Sequence, residues 1–117
     1  MRWAARLAQP LRDITTETLS WAQIKGTGTT ALFGSENVSA LTDNGAGDYT
    51  VTWAVPYASA SSYAVCMGTS GSAALVTQHF RAFQSITASS IRTSLLDFNS
   101  AGATDPEFAY LIAVGEF

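Results

Sequence analysis

A strand with strict alternation, preceded by a strong turn, gives the clearest indication of the fold. In residues 49–53, Tyr-Thr-Val-Thr-Trp, the large apolar side chains share one face and the two threonines share the other, as in a strand with one buried side. Residues 43–48, Asp-Asn-Gly-Ala-Gly-Asp, come directly before it, and Asn-Gly readily supplies the positive-φ residues of a hairpin turn. Together they predict an antiparallel hairpin.

Similar short runs recur along the chain, separated by turn residues at intervals of about ten positions, a spacing typical of a β-sandwich or barrel. They are the segments 21–25, 31–33, 37–41, 63–67, 74–78, 80–86, 90–96 and 108–114. The segments 74–78 and 80–86 are interpreted as two strands with a tight link. The run 108–114 is apolar throughout and predicts a buried central strand. Core packing is therefore expected for Phe108 and Tyr110, as it is for Tyr49 and Trp53.

The first twenty residues follow a different pattern. Their large apolar residues recur at spacings near the helical period, and these are Trp3, Leu7, Leu11, Ile14 and Leu19. Pro10 would interrupt a continuous helix, so the pattern predicts a short helix over residues 2–9 and an arm up to residue 20. The predicted fold is an all-β antiparallel sandwich of about seven to nine short strands over residues 21–117, with a short N-terminal helical arm over residues 1–20.

Charge is sparse and unevenly placed. Charged residues make up 13% of the chain, about half the usual share, which leaves a neutral surface that either contacts partners or faces water. Arg2, Arg6 and Arg12 are three of the six bases, and nine acids face three bases from position 13 onward. This balance has the wrong sign for a nucleic-acid partner. No segment approaches the roughly 18 apolar residues of a membrane span, so membrane insertion is not expected.

Residues capable of catalysis do not form a recognisable motif. The single cysteine, Cys66, excludes an intrachain disulfide and lies in an apolar run, where it is expected to fill the core. His79 is the one histidine and lacks partners at metal-ligand spacing. Nucleophile-elbow, phosphate-loop and dinucleotide patterns are absent. We therefore expect no catalytic residue, no metal and no cofactor, and no enzymatic activity.

Carboxylates near the turns leave two further hypotheses open. Asp43 and Asp48 flank the glycine-rich turn, where aspartate commonly binds backbone amides. The same oxygens could hold calcium, although the twelve-residue ligand pattern with its terminal glutamate is missing. A small glycan hydrolase would need paired carboxylates in a cleft, drawn from Asp43, Asp48, Asp97, Asp105 and Glu107. Turn chemistry is the interpretation that the sequence favours.

Two stretches resemble a known family. They are residues 21–28, Trp-Ala-Gln-Ile-Lys-Gly-Thr-Gly, and residues 35–53, Ser-Glu-Asn-Val-Ser-Ala-Leu-Thr-Asp-Asn-Gly-Ala-Gly-Asp-Tyr-Thr-Val-Thr-Trp. They resemble a domain of bacteriophage tail-fibre and related virion proteins, and residues 63–65, 90–93 and 109–115 follow the same pattern. The resemblance extends over residues 21–115. It implies a β-sandwich at the end of a fibre or spike, usually a homotrimer, with no catalytic residues.

The resemblance implies a virion structural protein made in the bacterial host cytoplasm. A short tail-fibre, spike or head-fibre component would contact itself as a homotrimer, other virion proteins of the tail, neck or capsid, and a host surface glycan or protein. A capsid decoration protein without a receptor is the alternative. Because the module fills nearly the whole chain, a long shaft is not expected.

In this arrangement the arm attaches to the particle and the loops face outward. The candidate docking residues are Trp3, Leu7 and Leu11, on the predicted helical arm. Loops 43–48, 68–72 and 99–106 are expected to face outward, since loops on a rigid scaffold commonly carry binding residues. The candidate outward residues are Asp43, Asn44, Asp48, Ser70, Asn99 and Asp105.

Overall fold

The computed structural model describes residues 19–70, 78–97, 102–103 and 105–117. They form nine β-strands: β1 Leu19–Lys25, β2 Ala31–Glu36, β3 Val38–Gly45, β4 Asp48–Trp53, β5 Tyr63–Ser70, β6 Gln78–Ile86, β7 Ser90–Asp97, β8 Gly102–Ala103 and β9 Phe108–Gly115. The all-β class is confirmed for these residues. The helix predicted over residues 2–9 lies outside them. None of these residues belongs to a helix that is long and apolar enough to cross a membrane.

The strands form two antiparallel sheets. The first sheet has the order β2-β1-β9-β5, and the second has the order β3-β4-β7-β6, with the short strand β8 paired to the end of β7. Every strand pairing in both sheets is antiparallel. The inner faces of the two sheets enclose one hydrophobic core, which gives a sandwich-like arrangement.

The core comes from alternate strand positions, because successive side chains of a strand point to opposite faces. The central strands of both sheets supply most of it: Ala22, Ile24, Ala109, Leu111 and Ala113 from the first sheet, and Tyr49, Val51, Trp53, Ile91 and Leu95 from the second. The predicted burial of Tyr49 and Trp53 is confirmed, since they are 0% and 3% exposed.

Several strand boundaries differ from the sequence pattern. β2 and β5 continue through Gly34 and Gly68, whose φ angles are not positive, so these glycines do not turn the chain. Residues 78–86 form one strand, so the link expected near position 79 is absent. Two irregularities in its pairing with β7 disturb the alternation that marks a single strand. β1 begins at Leu19, two residues before the boundary drawn from the sequence.

The two ends of the sheets differ, and we name them for what they carry. At the loop end, β1 finishes at Lys25 and the turn between β3 and β4 lies near Asp105, which accepts hydrogen bonds from that turn and from β4. At the arm end, β1 begins at Leu19, where the buried Ser20 hydroxyl contacts Tyr57 Oη at 2.7 Å. Residues 1–18 therefore join the domain at the end opposite the β3–β4 turn.

Candidate interaction surface

The outward side of the first sheet, which we call the outer face, is apolar. Its large side chains are between 36% and 57% exposed, and they are Leu19, Trp21, Phe33, Tyr110, Ile112 and Val114. Three small exposed residues of β5, Ala64, Cys66 and Gly68, extend the outer face toward the sheet edge. A sheet that packs against the core with one side normally places polar residues on the other, so this composition is unusual.

Strand register gives the outer face its relief. Trp21 is opposite Ile112, and Ile112 is opposite Cys66. In the next row, Tyr110 is opposite Gly68. Large side chains on β1 and β9 therefore form a central ridge, and small residues lie beside it on β5. A shallow depression of about 160 Å³ lies within the ridge, lined by Trp21, Ala22, Gln23, Tyr110, Leu111 and Ile112.

Charge on the outer face is confined to its margin. The four strands of the first sheet contain two charged residues, Lys25 at the end of β1 and Glu36 at the end of β2. Lys25 Nζ lies 6.0 Å from the centroid of the Phe33 ring, and that ring lies 5.5 Å from the ring of Phe108. A cation over an aromatic face is favourable, so the ammonium group of Lys25 is held over the Phe33 ring.

The size of the outer face indicates a contact surface. Strands about 4.8 Å apart with a rise of about 3.3 Å per residue give this four-stranded sheet an area of roughly 400 Å². Contiguous apolar patches of about 300–600 Å² are the largest on a typical monomer and are often functional. The outer face is therefore a candidate contact surface.

Three predictions about these residues are wrong. Phe108 and Tyr110, expected in the core, lie on the outer side of β9, because this strand places Ala109 and Leu111 inward instead, and Tyr110 is 42% exposed. Cys66, also expected in the core, is exposed, because its neighbours Val65 and Met67 pack against the core from the other side of β5. The outer face was missed in the sequence because apolar residues on both sides of a strand do not indicate which side is buried.

Four of the candidate outward residues, Asp43, Asn44, Asp48 and Asp105, gather at the loop end. Asp43 stabilises the turn after β3: its Oδ1 accepts from the backbone N–H of Gly45 at 3.0 Å, and its Oδ2 accepts from the hydroxyl of Thr30 at 2.8 Å. The first bond holds local backbone in place, as expected for aspartate at a turn, and the second ties the turn to the residue before β2. This carboxylate is thus engaged in turn chemistry.

Asp48 forms a bidentate ion pair with Arg92 on the neighbouring strand β7. The guanidinium donates to the two carboxylate oxygens at 2.9 and 2.7 Å. These hydrogen bonds lower the pKa of Asp48 because they favour its charged form. Asn44 Nδ2 donates to Thr50 Oγ1 at 2.8 Å and to Asp48 Oδ1 at 3.3 Å, so the turn is tied to β4, the strand that follows it.

Asp105 connects the loop end to the core. Its Oδ1 accepts from the backbone N–H of Gly47 at 2.9 Å and from Tyr49 Oη at 2.6 Å. Burial and the bond to Asp105 raise the pKa of Tyr49, because both favour the neutral phenol. Among the described residues, no group of three or more histidine, cysteine or acidic side chains could hold a metal ion.

Of the remaining candidates, one lies toward the loop end and four lie outside the residues that the structure describes. Ser70 is the last residue of β5, and its backbone is opposite Phe108, which places it toward the loop end. Asn99, Trp3, Leu7 and Leu11 lie outside the described residues.

Comparison with known proteins adds no relative: no protein-family model, curated protein or solved structure matches this chain.

Proposed function

We propose that this protein is a non-catalytic structural component of a bacteriophage virion, a short tail-fibre, spike or head-fibre subunit that assembles as a homotrimer. The apolar outer face is the observation that supports assembly, since a small domain that exposes such a face is stabilised by a partner that covers it. The virion assignment is supported by the resemblance of residues 21–28 and 35–53 to phage fibre domains.

The arrangement of the two ends fits an oriented particle component. Residues 1–18 join at the arm end, and the β3–β4 turn with Asp105 lies at the loop end. A subunit whose arm end faces the particle would then present its loop end to the surroundings, where a host glycan or protein can be reached. Hydrogen bonds to Asp43 and Asp105 fix the turn, and fixed loops on a rigid scaffold suit recognition.

Light scattering on the full chain tests the assembly, with two matched variants. Val114 lies on the outer face and Val55 lies outside the strands, and their exposed fractions are 50% and 51%. We expect three chain masses for the wild type and for Val55→Glu. Val114→Glu is expected to fall toward one chain mass, because a buried unpaired charge is strongly unfavourable at an interface.

Circular dichroism of each variant checks that the strands remain formed. A wild-type protein that stays at one chain mass at all concentrations would contradict the proposed trimer. A Val114→Glu protein that keeps the wild-type mass would show that assembly does not use the outer face.

A further inference from the structure

We infer that the outer face is covered by residues 1–18 of a neighbouring copy of this chain. The inference rests on the proposed self-association and names the segment that makes the contact. It follows from the chemistry of the outer face, the pattern of the N-terminal segment, and the direction in which β1 starts.

The N-terminal segment has the composition to complement the outer face. Trp3 and Leu7 are spaced four residues apart, a spacing that places their side chains on one side of the helix predicted over residues 2–9, and Leu11 follows Pro10. A helix over residues 2–9 would be about 12 Å long and about 10 Å wide. The four-stranded sheet is roughly 19 Å across, so such a helix fits on the outer face with its apolar stripe against the ridge of Trp21, Tyr110 and Ile112.

Charge favours this segment over a second outer face. Residues 1–18 carry three arginines, all within the first twelve positions, and two acids, whereas residues 19–117 carry seven acids and three bases. Glu36 lies at the margin of the outer face, in the same row as Trp21 and Ile112. A basic segment on an acidic domain gains from this attraction, whereas two acidic domains placed face to face repel each other.

The direction of β1 favours a neighbouring copy over the same chain. β1 runs from Leu19 at the arm end toward the loop end, so residue 18 is joined to the sheet at the arm end. Residues 14–18, Ile-Thr-Thr-Glu-Thr, contain no glycine, asparagine or proline for a tight reversal, and β-branched residues favour extended backbone. Five residues in extended backbone would span about 16 Å, which allows the residues before them to reach another subunit.

Three such contacts make a closed assembly. Each subunit gives one N-terminal segment and receives one, so a contact of this kind is head-to-tail, and it forms a ring when the rotation closes. The segment that the sequence analysis assigned to particle docking would then be used within the trimer instead.

Cys66 provides the test, because it is the single cysteine and it is exposed in the subunit. It lies in the row of Trp21 and Ile112, so any cover on the ridge slows its reaction with a thiol reagent. We expect slow labelling in the full wild-type chain. Leu7→Glu, on the apolar stripe, is expected to speed labelling at least about tenfold by releasing the cover, whereas Gln9→Glu, off the stripe, leaves the rate unchanged.

A second measurement identifies the chain that supplies the cover. In the Leu7→Cys variant, a short bismaleimide is expected to join position 7 to Cys66 of another copy and give covalent multimers on a denaturing gel. Cross-linking only within one chain would overturn the assignment to a neighbour.

Light scattering on the same samples separates the two proposals. Trimers in which Cys66 labels rapidly, or in which Leu7→Glu leaves Cys66 protected, overturn the inference and leave the proposed trimer standing. A monomeric wild type overturns the proposed function itself.

Discussion

The indole ring of Trp21 lies against Gly34 on the adjacent strand, so close that a Cβ at position 34 would be 2.9 Å from the ring atom Cη2. Gly34 therefore makes room for the largest side chain on the outer face. Gly68 lies in the same cross-strand row as Gly34, yet a Cβ at position 68 would meet nothing within 4 Å.

This difference predicts opposite effects of two identical changes. Gly68→Ala is expected to raise the free energy of unfolding by about 0.5 kcal/mol, because alanine restricts the unfolded chain. Gly34→Ala is expected to lack this gain and to lower stability by about 1 kcal/mol, because the Trp21 ring must move. Urea unfolding followed by tryptophan fluorescence measures both. Equal stabilisation by the two changes would show that the ring gives way freely.

Tyr49 predicts a loss of stability in alkaline solution. Burial holds its pKa above the ordinary value of 10.0, so above pH 10 the unfolded chain releases a proton that the folded chain keeps. The free energy of unfolding of the wild type therefore falls as the pH rises through this range. Tyr49→Phe is expected to cost about 2 kcal/mol at pH 7 through the lost bond to Asp105, and its stability falls less steeply above pH 10.

Urea unfolding between pH 7 and pH 11 checks both parts. Burial also raises the pKa values of Tyr57 and Tyr63, so a residual slope is expected in the variant. Parallel slopes for the two proteins would contradict the role assigned to Tyr49.

Asn37 predicts a backbone effect that can be separated from its hydrogen bonds. It adopts a φ of 57°, its Oδ1 accepts from the Val55 N–H at 2.7 Å, and its Nδ2 donates to Ser20 Oγ at 2.9 Å. Asn37→Gly removes the hydrogen bonds and keeps the backbone unstrained. Asn37→Ala removes the bonds and adds strain of about 1 kcal/mol.

Thermal and urea unfolding of these two variants give the comparison. We expect Asn37→Ala to be less stable than Asn37→Gly by about 1 kcal/mol, with both below the wild type. An alanine variant as stable as the glycine variant would mean that the φ angle relaxes when the side chain is shortened.

The pair of Asp48 and Arg92 predicts a small stabilisation that acid removes. The hydrogen bonds from Arg92 lower the pKa of Asp48 from 3.8, so the contribution is fully present above that value and is lost as the pH falls through the lower pKa of the folded protein. Asp48→Asn is expected to be slightly less stable than the wild type at pH 7, and the difference is expected to shrink below pH 4. The pair is exposed to solvent, so added salt should reduce the difference as well.

A series of urea unfolding curves from pH 7 down to pH 2.5 measures this effect. A difference that stays constant across the series would assign it to packing of the side chain and not to its charge.

The sequence predicted the hairpin of β3 and β4 because both signals are local. Thr50 and Thr52 mark the outward side of β4, so Tyr49, Val51 and Trp53 are identified as core without knowledge of the rest of the chain. Tyr110, Ile112 and Val114 offer no such contrast with Ala109 and Leu111. Which of these residues are exposed depends on which side of the first sheet packs against the second sheet. Alternation within β9 does not show that side, because both sides are apolar.

The loop end shows the same limit for hydrogen bonds. The Asn44-Gly45 pair predicts the turn, and Asp43 is expected to accept hydrogen bonds from neighbouring backbone amides. The bond from Tyr49 to Asp105 joins residues 56 positions apart, so no local sequence pattern predicts it. Asp105 was therefore predicted to be an outward recognition residue, whereas its carboxylate accepts hydrogen bonds that stabilise the turn and the core.

The position of β1 has a mechanical consequence. β1 lies between β2 and β9, and it is paired with β9 over its whole length and with β2 from Trp21 to Lys25. A pull on residues 1–18 acts along the strand axis, while antiparallel hydrogen bonds run perpendicular to it. The load is then shared by many bonds at once and does not open them one after another. A subunit tethered by its N-terminal segment would thus resist tension in shear, the stronger of the two loading directions for a sheet.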